Sequence, residues 1–207
     1  VNMLKNKVLN KNVMDVGAGF GGFLDIISNY SNSTIAVELQ KECRNHLKNR
    51  HKTYERIEYV KNNECDIATM FHVFEHMWEP LSETKKIKDK IKKGGTLVVE
   101  VPHARDALID LYDVDEFKKF TFWSEHLVLH TKQSIEKFLV NAGFSDVVVK
   151  GIQRYSLANH MYWMCNGEPE GGEKWSFMNE KDVNKEYEKL LSKIGKTDTL
   201  VAFCDVS

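Results

Sequence analysis

Short apolar runs alternate along this chain with longer segments in which apolar residues recur every three or four positions. The runs predict buried strands, and the recurring pattern predicts amphipathic helices. The predicted strands are residues 12–16, 34–37, 57–60, 66–71, 96–101, 144–150 and 200–204. The predicted helices are residues 20–30, 40–51, 80–93, 131–142 and 179–194. Because strands alternate with helices, we expect an α/β fold with a mostly parallel sheet and an antiparallel last strand.

Residues that begin or end elements divide the chain in the same way. Pro80 suits the first turn of a helix, and the pair Gly94-Gly95 is expected to close that helix with a left-handed cap. Thr131 is suited to capping a later helix. We expect the 207 residues to form a single domain, with a lid or insertion at about 152–198 between the last two strands.

Composition excludes some classes of protein. The chain is 42% hydrophobic, which is enough for one core, and its net charge of −1 argues against nucleic acid as the main partner. No apolar segment approaches the ~20 residues of a membrane span. The four cysteines form no Cys-x-x-Cys pair, which is typical of reduced thiols, so we expect a cytoplasmic protein.

A glycine-rich turn follows the first predicted strand. The residues from Asp15 to Phe20 are Asp-Val-Gly-Ala-Gly-Phe, and the acidic Glu38 ends the second strand. Glycines let the backbone approach a ligand closely, and an acid at that place accepts hydrogen bonds from ribose hydroxyls. Ligands of such sheets lie at the carboxyl ends of the strands, so we expect one crevice that also includes residues 71–72 and 102–103. The turn alone would fit an NAD-binding domain as well.

Four motifs in a fixed order narrow the choice. They are Asp15 to Gly19, then Val37-Glu38, then Asp66-Ile67 leading to Glu75-His76, then Lys93-Gly94-Gly95 before the fifth strand. From about residue 11 to 150 the chain resembles class I S-adenosylmethionine-dependent methyltransferases, which carry this set in this order. The resemblance implies a Rossmann-like, seven-stranded, mostly parallel sheet with helices on both faces and an antiparallel last strand. It also implies S-adenosylmethionine as cofactor, bound by Asp15, Gly17, Ala18, Gly19, Phe20, Glu38, Leu39, Phe71 and His72.

A narrower resemblance concerns the acceptor. Residues 70–76, 99–103 and 154–163 are similar to segments of small methyltransferases from bacterial capsule and surface-polysaccharide synthesis. This resemblance implies a small polar acceptor, such as a sugar, a sugar phosphate or a phosphate or phosphoramidate precursor. We expect O-methylation most strongly.

Histidines are the candidate general bases, because a hydroxyl acceptor must lose its proton near ambient pH. The segment Trp123-Ser124-Glu125-His126 resembles the Tyr-x-Glu-His segment of sugar C-methyltransferases, with tryptophan in the tyrosine position. We predict His126 as the base, oriented by Glu125, and His103 as a second catalytic candidate at the end of the fifth strand. The alternative is that these residues only fix loops by hydrogen bonds. A phosphate or carboxylate oxygen would need no base.

Polar and aromatic residues downstream are the candidate substrate contacts. The predicted set is His130, Arg154, Tyr155, Asn159 and His160. Polar groups among aromatics suit a lid over a sugar or phosphate, whereas the alternative is a helix packed on the core or on a second subunit of a homodimer. His72 and His76 flank Glu75 after a strand, without metalloprotease spacing, so no metal site is predicted.

Two further hypotheses stay open from the sequence. One is a nucleotide-dependent oxidoreductase that uses the same turn, although no Tyr-x-x-x-Lys pair lies near a strand end. The other is a non-catalytic methyltransferase-like partner protein, which the intact turn and Glu38 argue against.

Overall fold

A computed structural model of the chain describes residues 4–207. The strands are β1 (Asn12–Val16), β2 (Ser33–Val37), β3 (Lys52–Tyr54), β4 (Cys65–Phe71), β5 (Ile91–Pro102), β6 (Ser145–Ile152) and β7 (Thr199–Asp205). The helices are α1 (Gly22–Ile27), α2 (Lys41–Leu47), α3 (Pro80–Lys90), α4 (Ala107–Asp110), α5 (Asp115–Thr121), α6 (Lys132–Asn141), α7 (Leu157–Asn166), α8 (Gly171–Lys174) and α9 (Lys181–Ile194). Short 3₁₀ helices span Ile57–Tyr59, Phe74–His76 and Ser176–Met178.

The seven strands form one sheet in the order β3-β2-β1-β4-β5-β7-β6. Parallel pairing joins β1 to β2 and β4, β2 to β3, and β4 to β5. From Val13 to Val16 every residue of β1 is buried, as a central parallel strand covered on both faces requires. The strand order changes direction at β1 and β4, so the turn that follows β1 lies where ligands of such sheets bind.

The last strand runs antiparallel to β5, as predicted. Gly94 N–H donates to the Val206 carbonyl at 2.7 Å, and Thr96 Oγ1 donates to Asp205 at 2.7 Å. As residue numbers rise along β5, the numbers of their partners along β7 fall, which is the antiparallel pattern. The α/β class and the seven-stranded, mostly parallel sheet are confirmed.

The chain divides into two compact units. Among the described residues, the first comprises 4–100, 136–148 and 202–207, and the second comprises 101–135 and 149–201. The second unit includes the predicted insertion, in which α7, α8 and α9 lie. The single domain stays a prediction. Within residues 4–207, no helix has the length and apolar character needed to cross a lipid bilayer.

The third strand was predicted at the wrong place. Residues 57–60 were expected to be a strand, but Ile57–Tyr59 is a 3₁₀ helix and β3 lies at Lys52–Tyr54. Ile57 and Val60 are buried, which accounts for their apolar character. β3 is polar because it is an edge strand that pairs only with β2.

The glycine pair after α3 was also assigned wrongly. α3 begins at Pro80 as predicted but ends at Lys90, and β5 already starts at Ile91. Gly94, with φ +76°, and Gly95 lie in an irregularity of β5, between the pairs Cys65–Ile91 and Ile67–Thr96. The helix cap and the strand irregularity both favour glycine, so the local sequence does not separate them.

Candidate functional site

The turn after β1 is held by the neighbouring strand. The N–H groups of Gly17 and Ala18 donate to the Val37 carbonyl at 2.8 and 3.3 Å. Gly17 has φ +76°, and a Cβ there would overlap Cγ2 of Val73, so only glycine fits. Gly19 has φ +53°, and a Cβ there would meet nothing within 4 Å. The space beside Gly19 is therefore open to a ligand that lies against the backbone.

Glu38 fixes the shape of this turn. Its carboxylate is 8% exposed and accepts hydrogen bonds from the Gly19 N–H and the Gln40 N–H, both at 2.8 Å. Each oxygen accepts one of these bonds, and a carboxylate oxygen has capacity for a second. Glu38, which the sequence predicts to accept hydrogen bonds from the ribose hydroxyls, thus also connects the turn to the segment after β2.

Asp15 lies buried beneath the turn. Thr69 Oγ1 donates to Asp15 Oδ1 at 2.6 Å, and the carboxyl is 4% exposed. Burial raises the pKa of Asp15 to about 7; the Thr69 hydrogen bond opposes this rise and the negative charge of Glu38 adds to it. The floor of the turn therefore holds a carboxyl that changes charge near neutral pH.

Apolar side chains stand exposed around the same turn. Phe20 is 59% exposed and Leu39 is 70% exposed. Phe20 contacts His46 edge to face at 5.6 Å, and Phe71 contacts Phe23 at 4.8 Å. Exposed apolar groups beside hydrogen-bonding backbone suit a flat, partly apolar ligand such as a nucleoside.

His72, at the end of β4, has φ +55°, which is strained for a residue other than glycine. Its Nδ1 lies 3.4 Å from Glu75 Oε1, and its Nε2 lies 3.2 Å from Glu100 Oε1. Glu75 is 1% exposed, and its Oε1 also lies 3.9 Å from His76 Nε2; among the described atoms neither of its oxygens has a hydrogen bond. Two carboxylates therefore flank the His72 ring, which was predicted as a cofactor contact.

In the second unit, His126 is oriented by the backbone. Its Nδ1 lies 2.7 Å from the Thr121 carbonyl, so Nδ1 carries the proton and Nε2 is the basic atom of the neutral ring. The ring also contacts Trp123 at 5.6 Å. Glu125 is exposed, and the bond that fixes Nδ1 goes to Thr121 instead. The roles of His126 and Glu125 in catalysis stay predictions.

His103 and His130 are both buried, at 3% and 0% exposed. Nδ1 of His103 donates to the Thr197 carbonyl at 2.8 Å, and burial lowers the pKa of His103. Nδ1 of His130 lies 3.3 Å from Ser134 Oγ. These contacts favour the alternative in which both rings hold the loops that they join.

The predicted substrate residues separate into two groups. Asn159 is 8% exposed and His160 is 1% exposed, and burial lowers the pKa of His160 to about 4. The neutral ring of His160 accepts from Gln153 Nε2 at 3.0 Å and lies 2.9 Å from the Tyr187 hydroxyl. Asn159 and His160 therefore lie within the unit, whereas Arg154 and Tyr155 line a surface cavity.

This cavity measures about 330 Å³. Its lining residues are Gln153, Arg154, Tyr155, Ser156, Lys181, Asn184, Lys185 and Glu188. Asp198 accepts from the N–H groups of Arg154 and Tyr155, both at 2.9 Å, and Asn184 Oδ1 accepts from the Leu157 N–H at 3.0 Å. These bonds fix both walls of the cavity.

Two lining residues, Lys181 and Lys185, were not among the predicted site residues. They lie on a charged helix that has the appearance of a solvated face. Because they are four residues apart, both lie on one side of α9, and this spacing was the only hint in the sequence. Arg154, which lines the same cavity, lies more than twenty residues earlier in the chain.

The chain belongs to the methyltransferase domain family, which matches residues 2–149. Two probable S-adenosylmethionine-dependent methyltransferases from strains of Mycobacterium tuberculosis are each 23% identical to it over 157 residues. That match covers 69% of this chain and 52% of each relative, so the chain spans about half their length.

Solved methyltransferase structures share the fold. A possible histamine N-methyltransferase from Thermotoga maritima has a TM-score of 0.68 at 16% identity, over 100% of this chain and 86% of that one. Phosphoethanolamine N-methyltransferase 2 from Haemonchus contortus, in complex with phosphomonomethylethanolamine and S-adenosylhomocysteine, has a TM-score of 0.61 at 16% identity. That match covers 99% of this chain and 52% of the other.

The family match bears on the hypotheses that the sequence left open. It identifies the chain as a methyltransferase domain, as the ordered motifs predicted, and favours this class over the oxidoreductase. The turn fits S-adenosylmethionine, because its glycines leave open space beside Gly19 and Glu38 stands beneath that space with acceptor capacity left.

Proposed function

We propose that this methyltransferase methylates an oxygen of a small acceptor that carries a phosphate or a similar anionic group. The observation that carries the proposal is the cavity of about 330 Å³ in the second unit, where Arg154, Lys181 and Lys185 face a single carboxylate, Glu188. Phosphate groups are bound by such clusters of arginine and lysine. The volume lies at the lower end of small-ligand pockets, which suits a sugar phosphate.

The cavity combines charge with a flat ring. Tyr155 is 52% exposed, and the guanidinium carbon of Arg154 lies 5.9 Å from the centre of its ring. A sugar stacks on an aromatic face, while the cations hold its phosphate. The four remaining candidate contacts would then have unequal roles. Asn159 and His160 support the cavity walls through Ser156 and Gln153, His130 holds a loop outside the cavity, and Arg154 binds.

The cofactor would be held by the turn of the first unit. Glu38 binds the ribose hydroxyls, Phe20 and Leu39 cover apolar surface, and Phe71 and His72 line the methionyl end. Bound S-adenosylmethionine supplies a methyl group that is already activated on its sulfonium. The protein's own residues then have to hold the acceptor oxygen in line with that methyl group and remove a proton where the oxygen carries one.

His126 is the proposed base for a hydroxyl acceptor. The Thr121 carbonyl fixes its proton on Nδ1, so Nε2 is the atom that would take up the acceptor proton. A phosphate or phosphoramidate oxygen is already anionic, and its methylation would proceed without His126. The two acceptor types therefore make different demands on this residue.

The proposed pathway is the synthesis of bacterial capsule or another surface glycan, in the cytoplasm, with a homodimer as the proposed assembly. The pathway rests on the resemblance of residues 70–76, 99–103 and 154–163 to methyltransferases of that kind. A phosphate-bearing acceptor is also named for the Haemonchus contortus protein, which shares the fold.

An acceptor screen by mass spectrometry tests the proposal. The protein is incubated with S-adenosylmethionine labelled in its methyl group and with sugar phosphates, nucleotide sugars and phosphate monoesters. The expected result is a gain of one methyl on a phosphate-bearing compound. The double variant Lys181→Ala, Lys185→Ala should raise KM for it about tenfold or more, while Lys193→Ala, on the same helix outside the cavity, leaves KM unchanged. Methylation of neutral compounds only, or equal KM in both variants, would refute the proposal.

The role of His126 is tested separately. His126→Ala should lower kcat by about 10²–10⁴ for a hydroxyl acceptor and leave the affinity for S-adenosylhomocysteine unchanged. An unchanged kcat would remove His126 from catalysis and indicate an acceptor that needs no base.

A further inference from the structure

A second basic cavity lies in the first unit, at the amino ends of the central strands. It measures about 270 Å³. Its lining residues are Lys7, Lys11, Asp66, Ile67, Lys92, Lys93, Gly94, Gly95, Thr96 and Val98. Glu38 and the glycine turn follow the carboxyl ends of β1 and β2, so they stand at the opposite end of the strands. Methyl transfer at the turn does not account for this cavity.

The cavity carries an excess of positive charge. Four lysines face one carboxylate, Asp66. Asp66 is already engaged, because it accepts from the Asn12 N–H at 2.8 Å and lies 3.0 Å from Lys92 Nζ. Partial burial raises its pKa, but the two hydrogen bonds and the positive charges of Lys92 and Lys11 together hold the pKa of Asp66 below its usual value. The negative charge of Asp66 is therefore already balanced by neighbouring lysines, and the other lysine charges remain in excess.

The other three lysines have no ion pair within residues 4–207. Lys7 Nζ lies 5.7 Å from the centre of the Phe203 ring, and Lys11 and Lys93 are exposed. Their like charges converge from two separate segments of the chain, before β1 and within β5. Four ammonium groups around a cavity with a single carboxylate repel one another, and a bound anion would offset this repulsion.

The backbone of β5 holds the lysines in place. Gly94 has φ +76°, and a Cβ on Gly95 would lie 2.6 Å from the Asp66 carbonyl and 2.8 Å from the Lys92 carbonyl. The strand is therefore folded closely on itself at these glycines. Two backbone hydrogen bonds fix this irregularity against the residue that follows β7. Gly94 N–H donates to the Val206 carbonyl, and Val206 N–H donates to the Gly95 carbonyl. Lys92 and Lys93 are thus presented by a rigid loop.

We propose that this cavity is a binding site for a small phosphorylated anion, of the size of a di- or triphosphate group. Three ammonium groups without ion pairs supply the charge, and the volume falls just below the range of about 300–1,000 Å³ typical of pockets for larger ligands. This site goes beyond the proposed methyl transfer and does not depend on it. Its ligand stabilises the fold by mass action, because it binds the assembled strands and not the unfolded chain.

Calorimetry with inorganic pyrophosphate tests the site in the full chain. The Lys181→Ala, Lys185→Ala variant serves as the background, so that the cavity of the second unit does not contribute. Pyrophosphate should bind, and added salt should weaken it. The further changes Lys11→Ala and Lys93→Ala together should weaken binding at least about tenfold. Lys85→Ala, on the exposed face of α3, is the matched control and should leave the affinity unchanged.

Amine labelling read by mass spectrometry locates the ligand. Pyrophosphate should protect Lys11 and Lys93 from labelling and leave Lys85 reactive. All variants should bind S-adenosylhomocysteine as the parent does, which shows that they are folded. Absence of pyrophosphate binding, equal affinity with and without the two lysines, or unprotected Lys11 and Lys93 would overturn the proposal. Anionic phospholipid vesicles and a short RNA are tested in parallel, and binding of either without binding of pyrophosphate would overturn it as well.

Discussion

The double role of Glu38 leads to a prediction that needs no ligand. In Glu38→Gln the side chain keeps its size, but one of its two oxygens becomes an NH₂ group. Both original oxygens accept backbone N–H donors at 2.8 Å, from Gly19 and Gln40. Whichever way the amide turns, its NH₂ faces one of these donors. One hydrogen bond is lost, and a nearly buried N–H is left without an acceptor.

The magnitude follows from the charge and the burial. A hydrogen bond to a charged acceptor contributes about 1.5–3 kcal/mol, and an unsatisfied buried donor costs about 1–3 kcal/mol. One term works the other way, because the charge of Glu38 raises the pKa of Asp15 and its removal relieves that repulsion. The relief exists only where Asp15 is ionised, above about pH 7. We therefore expect a loss of about 2 kcal/mol in the free energy of unfolding, larger at pH 6 than at pH 8.5.

Urea denaturation without cofactor at both pH values measures this loss. Glu42→Gln, an exposed carboxylate on α2, is the matched control and should change stability by less than about 0.5 kcal/mol. Calorimetry with S-adenosylhomocysteine should also show weaker binding to Glu38→Gln. Wild-type stability in Glu38→Gln, or a loss that grows with pH, would show that the carboxylate does not brace the turn.

Two other substitutions probe the same turn. Because the folded-state pKa of Asp15 is raised from 3.8 to about 7, stability falls as pH rises between these values, by about 4 kcal/mol at most. Asp15→Asn keeps an acceptor for Thr69 and should flatten that part of the stability–pH curve in urea denaturation; an unchanged slope would contradict the raised pKa. Gly17→Ala forces a Cβ onto Val73 at a positive φ and should cost about 2 kcal/mol or more, whereas Gly22→Ala, with open space and no positive φ, should cost nothing.

Most of the fold follows from patterns that are local in the sequence. Buried runs such as β4, the proline that begins α3 and the Thr131 cap, which accepts from the Ser134 N–H at 3.1 Å, all have their meaning within a few residues. The position of β3 was predicted wrongly because an edge strand needs only backbone pairing, so its residues form no apolar run. The role of Gly94-Gly95 was predicted wrongly because a helix cap and a strand irregularity both favour glycine.

Like the fold, the candidate site was predictable only where its residues form a local pattern in the sequence. The turn and Glu38 are recognisable because the cofactor imposes their order along the chain. The hydrogen bond that His126 donates to the Thr121 carbonyl depends on the conformation of the loop between them. The cavity lined by Arg154, Lys181 and Lys185 depends on tertiary structure, which brings distant segments together. Charged residues on a helix look alike in the sequence whether they face a cavity or the solvent.

The position of β7 between β5 and β6 affects how the protein reaches its native state. β5 ends at Pro102, and its partner begins only at Thr199, so one side of a buried apolar strand has no partner until the chain between them has been made. Pairing over such a separation is slow, and an open strand edge invites association between molecules. Substitutions that delay β7 should therefore appear as aggregation during refolding, in proportion to protein concentration, before they appear as a loss of native stability.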